Sequence, residues 1–194
     1  MLKEIVELHL KPFLKYKGFK KYGLTWSKSS NGITQVINIQ LSRSNERNEE
    51  NFTINLGIFN PSIWEKCWSS EIPRIIHEED CFPRIRISDL LNGASKKNTD
   101  YWCTCTSETD EQALANKLIE LISSKCIPFL DGMLDIQNVV EFYRDKTEYM
   151  LPIEKIYLAI LNTKIGNHEI AKRIFEEVSA ISSAWAKKVN TVCH

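Results

Sequence analysis

The chain has 194 residues, 43% of them apolar, with 25 basic and 25 acidic side chains and no formal net charge. That is apolar material enough for a core, so the chain is not a disordered one, and its length fits one domain or one domain with a helical appendage. The balanced charge excludes a dedicated nucleic-acid binder, whose affinity rests on neutralising phosphates, and a polybasic membrane anchor.

The start, "MLKEIVELHLKPFLKYKGFKKYG", places Ile5, Val6, Leu8, Phe13 and Leu14 at helix-like spacing, which predicts a helix over about residues 2–16. Pro12 lies inside it and Gly18 is a stop signal. Lys3, Glu4, Glu7, Lys11 and Lys15 interrupt the apolar pattern, so no signal peptide is expected. No apolar run is long enough to span a bilayer, and the expected location is the cytoplasm. There the six cysteines are expected to be free thiols.

Strands are expected over 24–29, 33–42 and 52–59, with a turn at Ser30-Asn31-Gly32 and a polar loop, "RSNERNEEN", between the last two. Short connections predict an antiparallel meander. Pro61 opens a helical turn after Asn60, and 69–83 has no period and reads as loop. Residues 84–91 start as a strand, and 99–106 form another. From Thr109 and Asp110 onward the pattern is helical, in segments 109–130, 135–146, 151–166 and 167–189. A sheet-rich half followed by a helical one gives an α+β class: an antiparallel β-sheet meander packed against helices, then a C-terminal all-helical segment. The expected division is an α+β domain over 1–130 and a helical tail over 131–194.

Alternation sorts the hairpin into two faces. Ile37, Ile39, Leu41, Phe52, Ile54, Leu56 and Ile58 form an aliphatic one. The other carries Asn38, Gln40, Thr53 and Asn55. This second face reads either as the ordinary wet side of an antiparallel sheet or as a surface whose carboxamides bind something. Amides are poor strand formers, and Gly57 among them permits close approach of a backbone or a ligand.

Gly18-Phe19, the Asn38/Gln40/Ser42 strand, the Asn55/Gly57 strand and Trp102 ahead of a helix follow one another at a spacing that resembles a bacterial family, domain of unknown function 4304, over about residues 1–130. Members commonly have a second Trp where this chain has Tyr101. The resemblance implies a single α+β domain and no chemistry. By analogy it points to a partner-binding module, such as an immunity protein that masks a toxin. "YLAILNTKIGNHEIAKRIFEEV" separately resembles one tetratricopeptide-type helical hairpin, with Asn162 where an aromatic is usual.

Catalytic and cofactor chemistry finds little support. His77, Cys81, Cys103 and Cys105 are zinc-ligand types, but Cys-x-x-Cys knuckles are absent. The histidines stand in no motif, and there is no Gly-x-Ser-x-Gly elbow and no glycine-rich phosphate loop. No catalytic residue, cofactor or metal is therefore expected. The acidic triplet Glu78–Asp80 reads as a solvated loop, and the lysine-rich start as a solubilising helix end. The expected binding residues are Asn38, Gln40, Arg43, Asn55 and Trp102. Trp64 and Trp68 are further aromatic candidates, with burial in the core as their ordinary alternative. The expected function is a protein-interaction module with a protein partner and with neither nucleic acid nor membrane. A small-molecule binder or enzyme with a pocket on the polar sheet face is the rival.

Overall fold

A computed structural model describes residues 1–68, 70–92 (Asn92 by its backbone) and 100–193. Ser69 in the expected loop, Thr99 at the head of the expected 99–106 strand, and His194 lie outside the described residues. The chain divides into two compact units, one of residues 1–59 and 75–131, the other of residues 60–74 and 132–194.

The first unit opens with helix α1, residues 2–16. Strands β1 (Lys20–Tyr22), β2 (Thr25–Ser30), β3 (Ile33–Leu41) and β4 (Glu49–Phe59) follow as an antiparallel meander. The other edge of β4 takes two short strands end to end. Strand β5 (Arg84–Arg86) pairs with Asn55–Gly57, and β6 (Cys103–Thr106) pairs with Glu49–Phe52. All pairings are antiparallel, and the fold is α+β. Strand β4 begins three residues earlier than alternation predicts, because β6 extends its ladder; Glu49 to Asn51 are strand rather than loop. The expected strand at 84–91 turns after Arg86 into helix α3 (Ile87–Asn92), and Asp89 Oδ2 accepts from the Arg86 backbone N–H at 2.9 Å.

The register keeps Gln35, Ile37, Ile39 and Leu41 on one face with Ile58, Leu56, Ile54 and Phe52. Trp26 joins them opposite Ile37. Helices α1 and α4 (residues 111–132) cover this face. Glu50 accepts from the Leu2 backbone N–H at 2.9 Å, and Gln35 donates to Asp131 at 2.7 Å. Asp110 caps α4 by accepting from the Ala113 N–H at 2.9 Å. Both helices contain a π-helical turn, Val6–Leu10 in α1 and Ile122–Cys126 in α4. Their buried residues are Leu2, Ile5, Val6, Leu10, Leu14 and Leu114, Ala115, Leu118, Ile122, Cys126, Leu130, and a spacing of four runs through each set. Leu8, expected on the inner face, is 67% exposed, because it stands two residues from both Val6 and Leu10, about 200° round the helix from that buried stripe.

The second unit holds α2 (Pro61–Cys67), α5 (Ile136–Tyr143), α6 (Pro152–Lys164), α7 (His168–Ser179) and α8 (Ser183–Cys193). The expected single helix over 167–189 breaks at 180–182 into α7 and α8. Gly166, at φ +84°, makes the turn between α6 and α7. Trp64 and Trp68 sit at the end of α2 with rings 6.0 Å apart, and Lys188 of α8 lies 4.5 Å from the Trp68 ring. Trp68 is exposed rather than core. Among the described residues, no helix is long and apolar enough to cross a membrane.

Glu7 on α1 accepts from Lys11 at 2.6 Å and from Lys21 of β1 at 2.7 Å. These bonds hold its carboxyl down at about 2, against an ordinary 4.5. The fold favours the ionised form, so the stabilisation is complete above pH 4.5 and is lost as pH falls through about 2. The melting-temperature gap between the native chain and Glu7→Gln should therefore be flat above pH 4.5 and close towards pH 2. A gap independent of pH would contradict it.

Candidate functional site

The second sheet face is the one the hairpin alternation marks. It carries Thr25, Asn38 and Gln40 beside Thr53, Asn55 and Gly57, and then Arg84 and Arg86. Its centre is not wet. Asn55 is 2% exposed, and Thr53, Val36 and Phe59 are buried with it. The cover is the segment 77–83, which crosses the face at Gly57. A Cβ on Gly57 would stand 2.5 Å from Cys81 Cβ, so glycine is what lets the two backbones meet. The crossing is pinned on both sides. His77 N–H donates to Asp80 at 2.9 Å, Phe82 N–H to the Ile58 carbonyl at 2.8 Å, and Ile58 N–H to the Pro83 carbonyl at 3.0 Å. The Phe82-Pro83 peptide is cis.

This crossing brings Glu78 to the amides. Asn55 Nδ2 donates to Gln40 Oε1 at 2.8 Å and has Asn38 Oδ1 and Glu78 Oε1 each at 3.4 Å. With two hydrogens for three acceptors, the Gln40 bond is the firm one. Asn38 Nδ2 donates onward to Thr25 Oγ1 at 2.9 Å. Glu78, 7% exposed, also accepts from Arg84 Nη2 at 3.4 Å. The acidic triplet is thus split in role: Glu78 is a buried hydrogen-bonding carboxylate rather than a solvated loop residue. Thr53, opposite Gln40, has a buried Oγ1 with no hydrogen-bond partner among the described residues.

The rim is built differently. Arg86, opposite Asn55, donates to Asp100 Oδ2 at 2.7 Å, and its guanidinium lies 5.8 Å from the Trp102 ring centre. Trp102 is 36% exposed and Arg84 47% exposed along its side chain. Of the sequence-predicted residues, Asn38, Gln40 and Asn55 are joined by hydrogen bonds, and Trp102 is tied to their face through Arg86. Arg43 is not brought to them. It is exposed in the 42–48 loop and makes no side-chain bond among the described residues.

Sequence reasoning missed Glu78, Arg84 and Arg86. The alternation Arg84-Ile85-Arg86 was a signal for the last two, because it places both cations on the face opposite Ile85. No local pattern announces Glu78. Burial raises the Cys81 thiol well above its ordinary value, with Asp80 and Glu78 adding to the shift, and pushes Cys126 up to about 12. These thiols therefore remain protonated packing groups rather than nucleophiles. No group of three or more His, Cys, Asp or Glu side chains among the described residues is placed to hold a metal.

Fold and face together define an α+β domain whose amide-bearing sheet face is closed at its centre by its own crossing segment, leaves Asn38 and Gln40 half-buried, and is edged by arginine and tryptophan. A family model described as Domain of unknown function (DUF4304) matches residues 10–132, more than half of the chain, and the chain belongs to that family. The match ends one residue beyond the first compact unit. No curated protein and no solved structure matches the chain.

Two substitutions measure this site. Gly57→Ala should lower stability in urea denaturation by about 2 kcal/mol through overpacking against Cys81. Adding Cys81→Gly should return part of that loss. Asn55→Ala strips Gln40 of its donor and leaves Glu78 with Arg84 alone, and should cost about 1–3 kcal/mol by the same assay. It should cost clearly less in a Gln40→Ala background, because the broken bond is then counted once.

Proposed function

We propose that this chain is a protein-interaction module that contacts its partner through the Arg84–Arg86–Trp102 rim of the polar sheet face. The observation that carries the reading is the cation–π contact of half-buried Arg86 with exposed Trp102, beside an amide network whose centre, Asn55, is closed. Arginine and tryptophan supply most of the energy at protein interfaces when desolvated against a rigid floor. Here Asn38, Gln40 and Asn55 make that floor by bonding to one another, which fixes β3 and β4 under the rim. The rival reading, a ligand pocket lined by the same amides, has Asn55 against it, since a side chain 2% exposed is not open to a ligand.

The module works in a reducing compartment, consistent with five cysteines buried as free thiols. An immunity protein masking a toxin is the form of such a module suggested by analogy, and a charged toxin surface complements the two arginines.

The test is quantitative affinity capture from the source cells with the native chain and with an Arg86→Ala, Trp102→Ala double variant. Each truncation at an anchor position removes about 2 kcal/mol, so the captured partner should be lost by well over tenfold. Unchanged melting of the variant controls for folding. A partner retained equally by both proteins would overturn the reading.

A further inference from the structure

The second unit contains a cavity that the sheet-face reading does not use. It measures about 290 Å³ and is lined from α5, α6 and α7. Its inner surface is apolar, made by Val140 with the buried Leu158 and Ile174. The polar group set into that surface is already satisfied. Asn162, 1% exposed, donates to the Leu158 carbonyl at 2.9 Å and accepts from Asn167 Nδ2 at 3.1 Å. The floor therefore offers contact area and asks for no hydrogen-bonding guest.

The mouth is charged. Arg144, Lys155 and Arg173 line it, against the single carboxylate of Glu177. Arg144 is engaged by Glu141. Lys155 is held loosely, with Nζ 3.8 Å from Glu177. Arg173 makes no ion pair among the described residues. Glu169 and Glu176 also stand beside Arg173 on α7, so the mouth has no surplus of charge; what it offers is one guanidinium without an ion-pair partner among the described residues, beside an apolar floor.

We infer that this cavity binds a monoanionic carboxylate carrying a branched aliphatic or aromatic group. The apolar group lies on Val140, Leu158 and Ile174. The carboxylate takes Arg173 and Lys155, displacing Glu177 from its long contact. One unpaired guanidinium, with the other two cations already facing carboxylates, matches a single carboxylate better than a phosphate dianion, and the volume suits a small acid or a single chain end rather than a folded partner. Such a carboxylate comes from a free organic acid or from the C-terminal residue of a polypeptide. None of the residues involved belongs to the sheet-face rim, so this inference and the proposed function stand or fall separately.

The experiment is calorimetry and amide-shift titration of the full chain with three probes: 4-phenylbutyrate, N-acetyl-leucyl-leucine, and its C-terminal amide as the uncharged control. Binding of either acid, with shifts centred on α6 and α7 and none from the amide, supports the site. The dipeptide acid alone assigns it to chain ends, and phenylbutyrate to free acids. Arg173→Gln should weaken binding about tenfold, the loss of one charge-assisted bond. Lys155→Gln, on a different helix, should also weaken it. Glu177→Gln should tighten it, because the internal competitor is gone, and a purely structural role for Glu177 predicts no such gain. The inference is overturned if neither acid moves these residues at millimolar concentration, if the amide binds as well as the acid, or if Arg173→Gln leaves the affinity unchanged.

Discussion

The approach of Cys81 to Gly57 is the contact on which the first unit's functional face depends. A strand residue without a side chain lets another segment cross the sheet at backbone distance. Once that crossing is seated, Phe82 and Pro83 bond to Ile58 and run directly into β5. The same contact therefore sets where Glu78 meets Asn55 and where Arg84 and Arg86 emerge. A covered polar face is a demanding arrangement, because each amide removed from water needs a partner within the protein. The network meets most of that demand with side chains, Asn55 to Gln40 and Asn38 to Thr25, and leaves Thr53 Oγ1 without a bond among the described residues.

Much of this was legible in the sequence because it is periodic. The two-residue alternation of 33–41 and 52–59 sets the faces, and the structure pairs those residues in the register that alternation requires. Gly57 could be read as a site of close approach, though not what approaches. Cys81 lies in a stretch with neither a helical nor a strand period, and such a stretch is placed by long-range packing alone. The same limit hid Glu78, whose neighbours in sequence suggest a solvated run while its neighbours in space are an asparagine and an arginine. Arg43, by contrast, earned its prediction from standing at the strand end, a position that says nothing of where a loop side chain goes.

The second unit shows a different balance. Helical spacing revealed α5 to α7, but the junction at 180–182 lacks the glycine or proline that would mark it, and one long helix was the natural expectation. The tryptophans of α2 were easier to notice than to place. Trp68 holds an exposed position by stacking with Lys188, an amphipathic pairing that composition cannot distinguish from core burial. Asn162, odd in an otherwise apolar helix, is explained by its two bonds within the α6–α7 hairpin.

The widened turns in α1 and α4 carry a consequence for how such sequences are compared. Both inner stripes repeat every four residues, whereas an α-helix completes a turn in 3.6, so each step overshoots by about 40°. One i→i+5 turn swings the stripe back and acts as a phase correction. A helical wheel drawn with uniform pitch makes such a stripe drift round the helix, although its residues all stay inward. Relatives lacking the extra residue would need a compensating shift elsewhere to keep both ends of the helix seated. An alignment gap near Val6–Leu10 or Ile122–Cys126 would then mark a change of helical pitch rather than a lost loop.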